Sequence, residues 1–512
     1  MLGLDTIPHF VLAVIVSAIN AVFLCLVATK LIHVLQLSGY RLRPYITWAI
    51  DIRQKFIIRI LALALLGFGS TFILQLFLAD GAYVPREWRY LGLIFYFALG
   101  TILVTWLFRT PVKVPLRLTP RVWRLFTVFF LLSTVLTYLL AWWAFAVGGV
   151  WGGAGLASVS LLVYASPIIL LFAYFILEPL ELLIKQFYLW KAKRKLFSPQ
   201  YKDLIRIGIT GSYGKTSCKN ILAAMLSKKY NVLMSPASFN TPMGFARTVN
   251  NELKPEHQVL IMEMGMRYKG DIKTMAKLFK PQHGMLTSIG SAHLETMKTL
   301  EAIRNEKYEL INALPEGGFK VTNDASESER KTGNVGKIET NLLGEHNKRN
   351  IALCTEMALK FGITQKQIAE TIKELKPVPH RLEVTKTEHG ITIIDDSYNS
   401  CPEGCLAALE LLGSLKGKGQ AIILTPGMVE LGKRADEENF KFGVRMSAVA
   451  DKVIIVNEIN KQQISDGLLA GGFLEANIFF AKNLEAAKEI YAPMLKSGDT
   501  LLIENDLPDN YV

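Results

Sequence analysis

Over the first 200 residues, long apolar runs alternate with short basic connections. Five runs carry no charge: Phe10–Thr29, Ile60–Ala79, Leu91–Phe108, Leu125–Val147 and Leu156–Leu177. Each is about long enough to cross a bilayer as a helix. Asn20 and Gln75 are polar positions inside these runs, where side chains face a partner helix or a lipid head group, and helix packing is the expected role. Pro167 predicts a kink in the fifth run. Glu178–Trp190 reads as an amphipathic helix leaving the membrane at its interface, or as a plain connector to the soluble part. Beyond Tyr201 the pattern changes. Short β-branched runs alternate with helical periods, which predicts parallel sheets covered by helices.

Charge sharpens this division. Residues 1–200 hold 18 Lys+Arg against 6 Asp+Glu, a net of +12, and the remaining 312 hold 39 against 38. The basic character therefore belongs to the apolar part, and it is not read as a nucleic-acid signal. Arg41, Arg43, Arg53, Lys55 and Arg59 lie between the first and second runs. Arg109, Lys113, Arg117, Arg121 and Arg124 lie between the third and fourth, and Lys185, Lys191, Lys193, Arg194 and Lys195 come after the fifth. The other two connections are nearly neutral. Lysine and arginine collect on the cytoplasmic side. The expectation is a multi-pass protein of the cytoplasmic (inner) membrane, with its N-terminus outside and everything after residue 197 in the cytoplasm. The first run lacks a basic leader and a small-residue cleavage site, so it is read as a span. The five cysteines show no metal-binding spacing, and a cytoplasmic setting argues against disulfides.

The chemistry begins at Ile205–Thr210, a strand pattern that runs into Gly211, Ser212, Tyr213 and Gly214, and then Lys215, Thr216 and Ser217 at a helix start. A strand, a tight loop and a helix N-terminus point N–H groups at one spot, which suits a phosphate. Lys215 would meet β/γ-phosphates and Thr216 a Mg²⁺ ion. The strict eight-residue pattern fails, since its first position is Ile209, and a Gly-containing turn without a ligand is the alternative. Downstream motifs fall where strands end, the place where open α/β sheets bind ligands. Asn240 and Thr241 lie in a turn-rich loop suited to contacting a substrate. Glu263 ends an apolar strand, and is either a Mg²⁺ carboxylate or a surface residue. His293 comes after another strand as a candidate metal or phosphate contact, and Lys307 reads as a helix-face lysine. Asn347 and Asn350 begin a helix, where they either read a base or cap. Pro377–Glu383 looks like a hinge, and the strand after it ends in Asp395 and Asp396.

Taken together these motifs resemble the Mur ligase family, most closely its MurF branch, whose members add D-alanyl-D-alanine to a UDP-muramoyl-tripeptide. The resemblance covers about residues 203–505. It is carried by the phosphate loop, Glu263-Met-Gly265, Ile289 to Glu295, Gly344 to Asn350, Asp395 to Asn399 and Gly427 to Gly432. It implies an α-helical membrane domain at 1–197, a central P-loop α/β domain at 198–376 and a C-terminal Rossmann-like α/β domain at 377–512. The activity implied is ATP-dependent amide formation through an acyl phosphate, with ATP and two Mg²⁺ ions. The carboxyl substrate would be a cell-envelope precursor and the amine an amino acid or dipeptide. Carried over by position, Lys215, His293 and Lys307 are catalytic. Thr216 and Glu263 ligate one Mg²⁺, and Glu263, His293 and Lys307 the other, with Lys307 carbamylated in some family members. Asn347 and Asn350 meet adenine, Arg381 a phosphate, and Asp396 the nucleotide. Asn240, Thr241, Tyr398 and Asn399 border substrate.

Two departures stand out. Apolar spans replace the family's soluble N-terminal domain, so the precursor is expected to be lipid-linked or delivered at the bilayer. Glu504, Asn505 and Asp506 replace a usual Lys-Gly-Ser, which would suit a cationic amine. A polymer-forming ligase resembling the poly-γ-glutamate synthetases, and a non-catalytic ATP-binding membrane sensor or scaffold, are the alternatives.

Overall fold

The computed structural model describes residues 9–50, 115–147, 149–237, 239–323, 340, 342, 344–398, 401–429 and 431–506, with scattered helical positions between 58 and 69. The chain divides into two compact units, residues 1–184 (with 512) and 185–511.

The first unit contains α1 (His9–Leu37), α2 (Leu42–Ile50), α3 (Pro120–Val147) and the greater part of α4 (Gly149–Leu196). Among the described residues three helical segments are long and apolar enough to cross a membrane: Ala13–Leu37, Pro120–Ala144 and Ala157–Leu196. They coincide with the first, fourth and fifth apolar runs. The second and third runs lie outside the described residues, apart from the scattered positions already given, so the expected five spans reduce to three that are described. Leu24, Leu31, Phe129, Val163 and Leu170 share one buried cluster. Asn20 faces a partner helix, donating Nδ2 to Thr137 Oγ1 at 2.9 Å. Gln75 lies outside the described residues. Arg121 pairs with Glu178 at 2.9 Å, and Arg124 with Glu181 at 2.6 Å.

The second unit is built on two sheets. β1 (Ile205–Thr210), β2 (Val232–Met234), β3 (Val259–Glu263), β4 (His283–Leu286) and β5 (Lys320–Thr322) form a parallel sheet in the order β2-β3-β1-β4-β5. The inner strand β3 is buried along its whole length, as an inner parallel strand with both faces covered must be. Val259 and Ile261 enter one core and Leu260 and Met262 the other, following the two-residue period of a strand. On the first face lie α5 (Lys215–Leu226), α10 (Glu345–Lys360) and α11 (Gln365–Glu374). On the second lie α6 (Pro242–Arg247), α7 (Asp271–Phe279), the short α8 (Leu294–Met297) and α9 (Leu300–Asn312). Caps fix these helices locally. Thr241, Thr299 and Thr364 each accept an N–H from three residues on, and Gln367 completes a capping box with Thr364.

The second sheet has the order β10-β9-β8-β11-β7-β6, from β6 (Glu383–Lys386), β7 (Thr392–Asp396), β8 (Ala421–Thr425), β9 (Lys452–Val456), β10 (Ile478–Ala481) and β11 (Thr500–Glu504). Only the β6–β7 pair is antiparallel. Ala421 and Ile423 of β8 enter one core, and Ile422 and Leu424 the other. Helix α12 (Pro402–Leu415) comes after β7. The carboxyl ends of β1, β3 and β4 carry Gly211, Glu263 and Thr287. Those of β7 and β11 carry Asp396 and Glu504.

Candidate active site

The loop from Gly211 to Gly214 leaves the middle strand of the first sheet and is tied down by the segment after β4. Ser212 N–H donates to Ser288 O, and Tyr213 N–H to Ser288 Oγ, both at 2.8 Å. Ser212 Oγ bonds the backbone of Gly290. A Cβ on Gly211 would lie 1.9 Å from Thr287 Oγ1, so only glycine fits. Gly214 is left-handed at φ +78°, and a Cβ there would lie 2.6 Å from Asn350 Oδ1. That backbone conformation is open to glycine at no steric cost. The Tyr213 ring fills the space over Gly290, and its hydroxyl accepts from Ala292 N–H at 3.0 Å. Burial, and then the acidic groups of Cys401 and Glu403, push the Tyr213 hydroxyl up. The start of α12 therefore faces the loop.

Lys215 folds back on the loop, donating Nζ to Gly211 O at 2.7 Å and Ser212 O at 3.1 Å. Burial lowers its pKa, Glu263 opposes the shift, and Arg381 adds to it. Arg381, from the hinge before β6, thus acts on the phosphate-loop lysine. Lys307, on α9, is 1% exposed. Its pKa falls well below the usual value, from burial first and then the positive charge of Lys215, with Glu306 opposing. The lysine read as a helix-face residue is sealed in the interior beside the loop.

Thr216 Oγ1, in the first turn of α5, donates to Glu263 Oε2 at the end of β3, at 3.0 Å. Glu263 is 1% exposed, which settles it as an interior carboxylate. Two hard oxygen donors converge here, the chemistry that suits Mg²⁺. Among the described residues no cluster of three or more His, Cys, Asp or Glu side chains is placed to hold a metal ion. His293 is half-buried in a left-handed conformation, φ +65°, at the start of α8.

Asn347 and Asn350 are both buried at the start of α10. Asn350 lies against the phosphate loop itself, with Cys218 Sγ 3.4 Å from its Oδ1. Asn240 and Thr241, expected to border substrate, have internal partners. Asn240 donates Nδ2 to Glu263 Oε1 at 3.2 Å, and Thr241 caps α6 by accepting from Gly244 N–H. Asp396 is buried and accepts the Leu382 N–H at 2.9 Å, which fixes the hinge to β7. Tyr398 is 66% exposed and stacks on His380. Asn399 lies outside the described residues.

Two buried charges escaped the sequence reading. Lys219 interrupts the buried face of α5, and its Nζ lies 3.4 Å from Glu263 Oε2. A lysine where apolar periodicity demands burial is the signal that could have found it. Glu306 accepts the N–H groups of Gly270 at 2.7 Å and Ile272 at 2.8 Å, closing the start of α7. Glu504, expected to face an amine, is 0% exposed. Its register partner on β7 is Asp396.

Fold and site together define a phosphate-loop α/β protein whose second α/β domain reaches back to the loop. Residues 209–336 match the Mur ligase middle domain and residues 380–504 the Mur ligase glutamate ligase domain. The chain is 32% identical over 260 residues to the UDP-N-acetylmuramoyl-tripeptide–D-alanyl-D-alanine ligase of Bacillus subtilis, covering 44% of this chain and 56% of that protein. It thus spans little more than half of that relative. The ligase of the same name from Treponema pallidum is 25% identical over 346 residues, 60% of this chain and 73% of that protein. Among solved structures, the MurF ligase of Thermotoga maritima in complex with ADP superposes with a TM-score of 0.55 at 26% identity, over 63% of this chain and 80% of that one.

Proposed function

We propose that this chain is a membrane-anchored, ATP-dependent amide ligase of the MurF type, acting on a peptidoglycan-type precursor. The observation that carries the reading is the meeting of Lys215, Lys307 and Arg381 with the Thr216–Glu263 pair at the carboxyl ends of the first sheet. The precursor carboxylate attacks the γ-phosphorus of ATP, the bond to the departing oxygen breaks, and ADP leaves. The amine nitrogen then attacks the acyl carbon, the carbon–oxygen bond to phosphate breaks, and the amine gives up a proton. Amide, ADP and phosphate result.

This chain's residues have separable tasks in that sequence. Lys215 leaves the carbonyls of Gly211 and Ser212 to meet the β/γ-phosphates, and the N-terminus of α5 supplies N–H groups beside it. Arg381 brings a second fixed positive charge from the other domain, and charges fixed in advance stabilise the phosphoryl group as it transfers. Thr216 and Glu263 would hold Mg²⁺, with His293 and Lys307 near a second ion. Bound there, the metal would neutralise phosphate charge. The lowered pKa of the buried Lys307 favours the uncharged amine, the form that takes up CO₂ to become a carbamate. Asn347 and Asn350 serve the adenine side, Asp396 the nucleotide, and Tyr398 with Asn399 the amine.

Membrane anchoring rests on the three apolar helices and the one-sided distribution of Lys and Arg. We assign the ligase unit to the cytoplasmic face and favour a lipid-linked precursor as carboxyl donor.

The test is ADP release by the detergent-purified chain with ATP and Mg²⁺. Either UDP-muramoyl-tripeptide or a lipid-linked precursor extract would be supplied, each with and without D-alanyl-D-alanine, and products read by mass spectrometry. Turnover needing D-alanyl-D-alanine supports a MurF reaction, and turnover with the lipid extract alone supports the lipid-linked donor. Lys215→Ala should lower the rate by about 10²–10³-fold with the fold intact. No amide product from either donor, or an unchanged rate in that variant, would refute the reading. A ladder of masses would instead mean a polymer-forming ligase.

A further inference from the structure

Lys219 is a buried cation to which the reaction above gives no task. It stands one turn after Lys215 on α5, and its side chain is 1% exposed. Nζ donates to Ala237 O and lies 3.4 Å from Glu263 Oε2. That oxygen also accepts from Thr216 Oγ1 at 3.0 Å, and Oε1 accepts from Asn240 Nδ2 at 3.2 Å. Both oxygens of the interior carboxylate are thus filled by groups of this chain, one of them a full positive charge. An ionised carboxylate in the interior is costly unless paired, and here Lys219 is the pairing charge.

The same contact opposes a divalent ion. An ion on Thr216 and Glu263 would bring two positive charges to the oxygen that the ammonium now faces. Repulsion between like charges a few ångströms apart is large in a site shielded from water. ATP would change the balance, since its phosphates bring negative charge to the loop beside both cations. The lysine's flexible four-carbon stem lets the ammonium move without moving the helix.

We propose that Lys219 is the resident counter-cation of Glu263. It is a positioning residue that holds the carboxylate aimed at Thr216 and keeps divalent-cation affinity low until nucleotide is bound. This rests on the reading of Glu263 as the metal carboxylate. Lys219 makes metal and nucleotide arrive together, because Glu263 already has its cation when the nucleotide site is empty.

The test is Mn²⁺ binding by the full-length protein in detergent, read as free Mn²⁺ by electron paramagnetic resonance without nucleotide. Lys219→Met should bind one Mn²⁺ about tenfold more tightly than the unaltered protein, or tighter still. Lys219→Arg, which keeps the charge, should stay close to the unaltered protein. The double variant Lys219→Met/Glu263→Gln should lose the gain. Equal Mn²⁺ affinity in Lys219→Met and the unaltered protein would mean a merely structural lysine and would overturn the proposal. If Lys219→Met does not fold, recovery by millimolar Mg²⁺ or by adding Glu263→Gln supports a counter-cation, since removing a whole buried pair is far better tolerated than removing half. Recovery by neither overturns it. A parallel titration with ATP separates this inference from the reading beneath it. If the unaltered protein takes up no Glu263-dependent Mn²⁺ even with ATP, the metal-site reading falls and takes the inference with it. If it does, and Lys219→Met is unchanged without nucleotide, the inference alone falls.

Discussion

Replacing Glu504 by Gln should make the protein more stable as pH rises. The carboxyl ends β11, is 0% exposed, and faces its register partner Asp396. Neither of its oxygens has a hydrogen-bond partner among the described residues; the Cys405 thiol lies against it. Burial first, and then the charge of Asp396, push its pKa well above the usual carboxylate range, with the thiol pulling slightly the other way. The folded protein therefore keeps a proton that the unfolded chain has lost. Stability from this group is complete below the ordinary carboxylate pKa. It falls by about 1.4 kcal/mol for each pH unit above that point, until the folded value is reached. Gln keeps the shape and does not titrate, so the variant gains on the parent by that slope. For a unit of this size the gain is on the order of 3 °C in Tm per pH unit. Thermal unfolding of the full chain in detergent, from about pH 5 to about pH 8, reads the difference directly. Parallel Tm profiles would refute the reasoning, and a variant destabilised at every pH would mean that the carboxylate is ionised and paired. At 0% exposure, Glu504 is sealed from any amine in this structure.

Two further outcomes rest on geometry. Gly211→Ala places a methyl group where Thr287 Oγ1 stands, so the loop must leave the β4 segment. Calorimetry should then find ATP binding abolished while far-UV circular dichroism stays unchanged, and retained binding would contradict the loop geometry. Glu306→Ala leaves the N–H groups of Gly270 and Ile272 without their acceptor. It should cost about 3 kcal/mol in a urea or thermal melt, and an unchanged melt would mean that water replaces the carboxylate freely.

The buried charges of this site come as a set. Lys215, Lys219 and Arg381 gather around Glu263, an excess of positive charge before any ligand arrives. Each buried cation costs free energy that a triphosphate would recover, which is why pKa shifts of this kind gather at functional sites. The fold tolerates the cost because both sheets bury long apolar strands beneath the site.

Local signals sufficed for part of this protein. The phosphate loop was legible because glycines, Lys215 and Thr216 act within a few residues of one another. So were the alternation of strands and helices and the apolar runs, since periodicity is itself a local property. The tertiary structure decided what local spacing does not encode. Lys307 resembles a helix-face lysine until the fold seals it in the interior beside Lys215. Asn240 sits in a loop that looked ready for substrate, yet its amide is bound to Glu263 from a strand 23 residues on. Glu504 stands where an acidic group would suit a cationic amine, and it is buried because β11 lies between β7 and β8 in the sheet. Those outcomes depend on which strands become neighbours, and strand order comes from contacts distant in sequence rather than from any one motif.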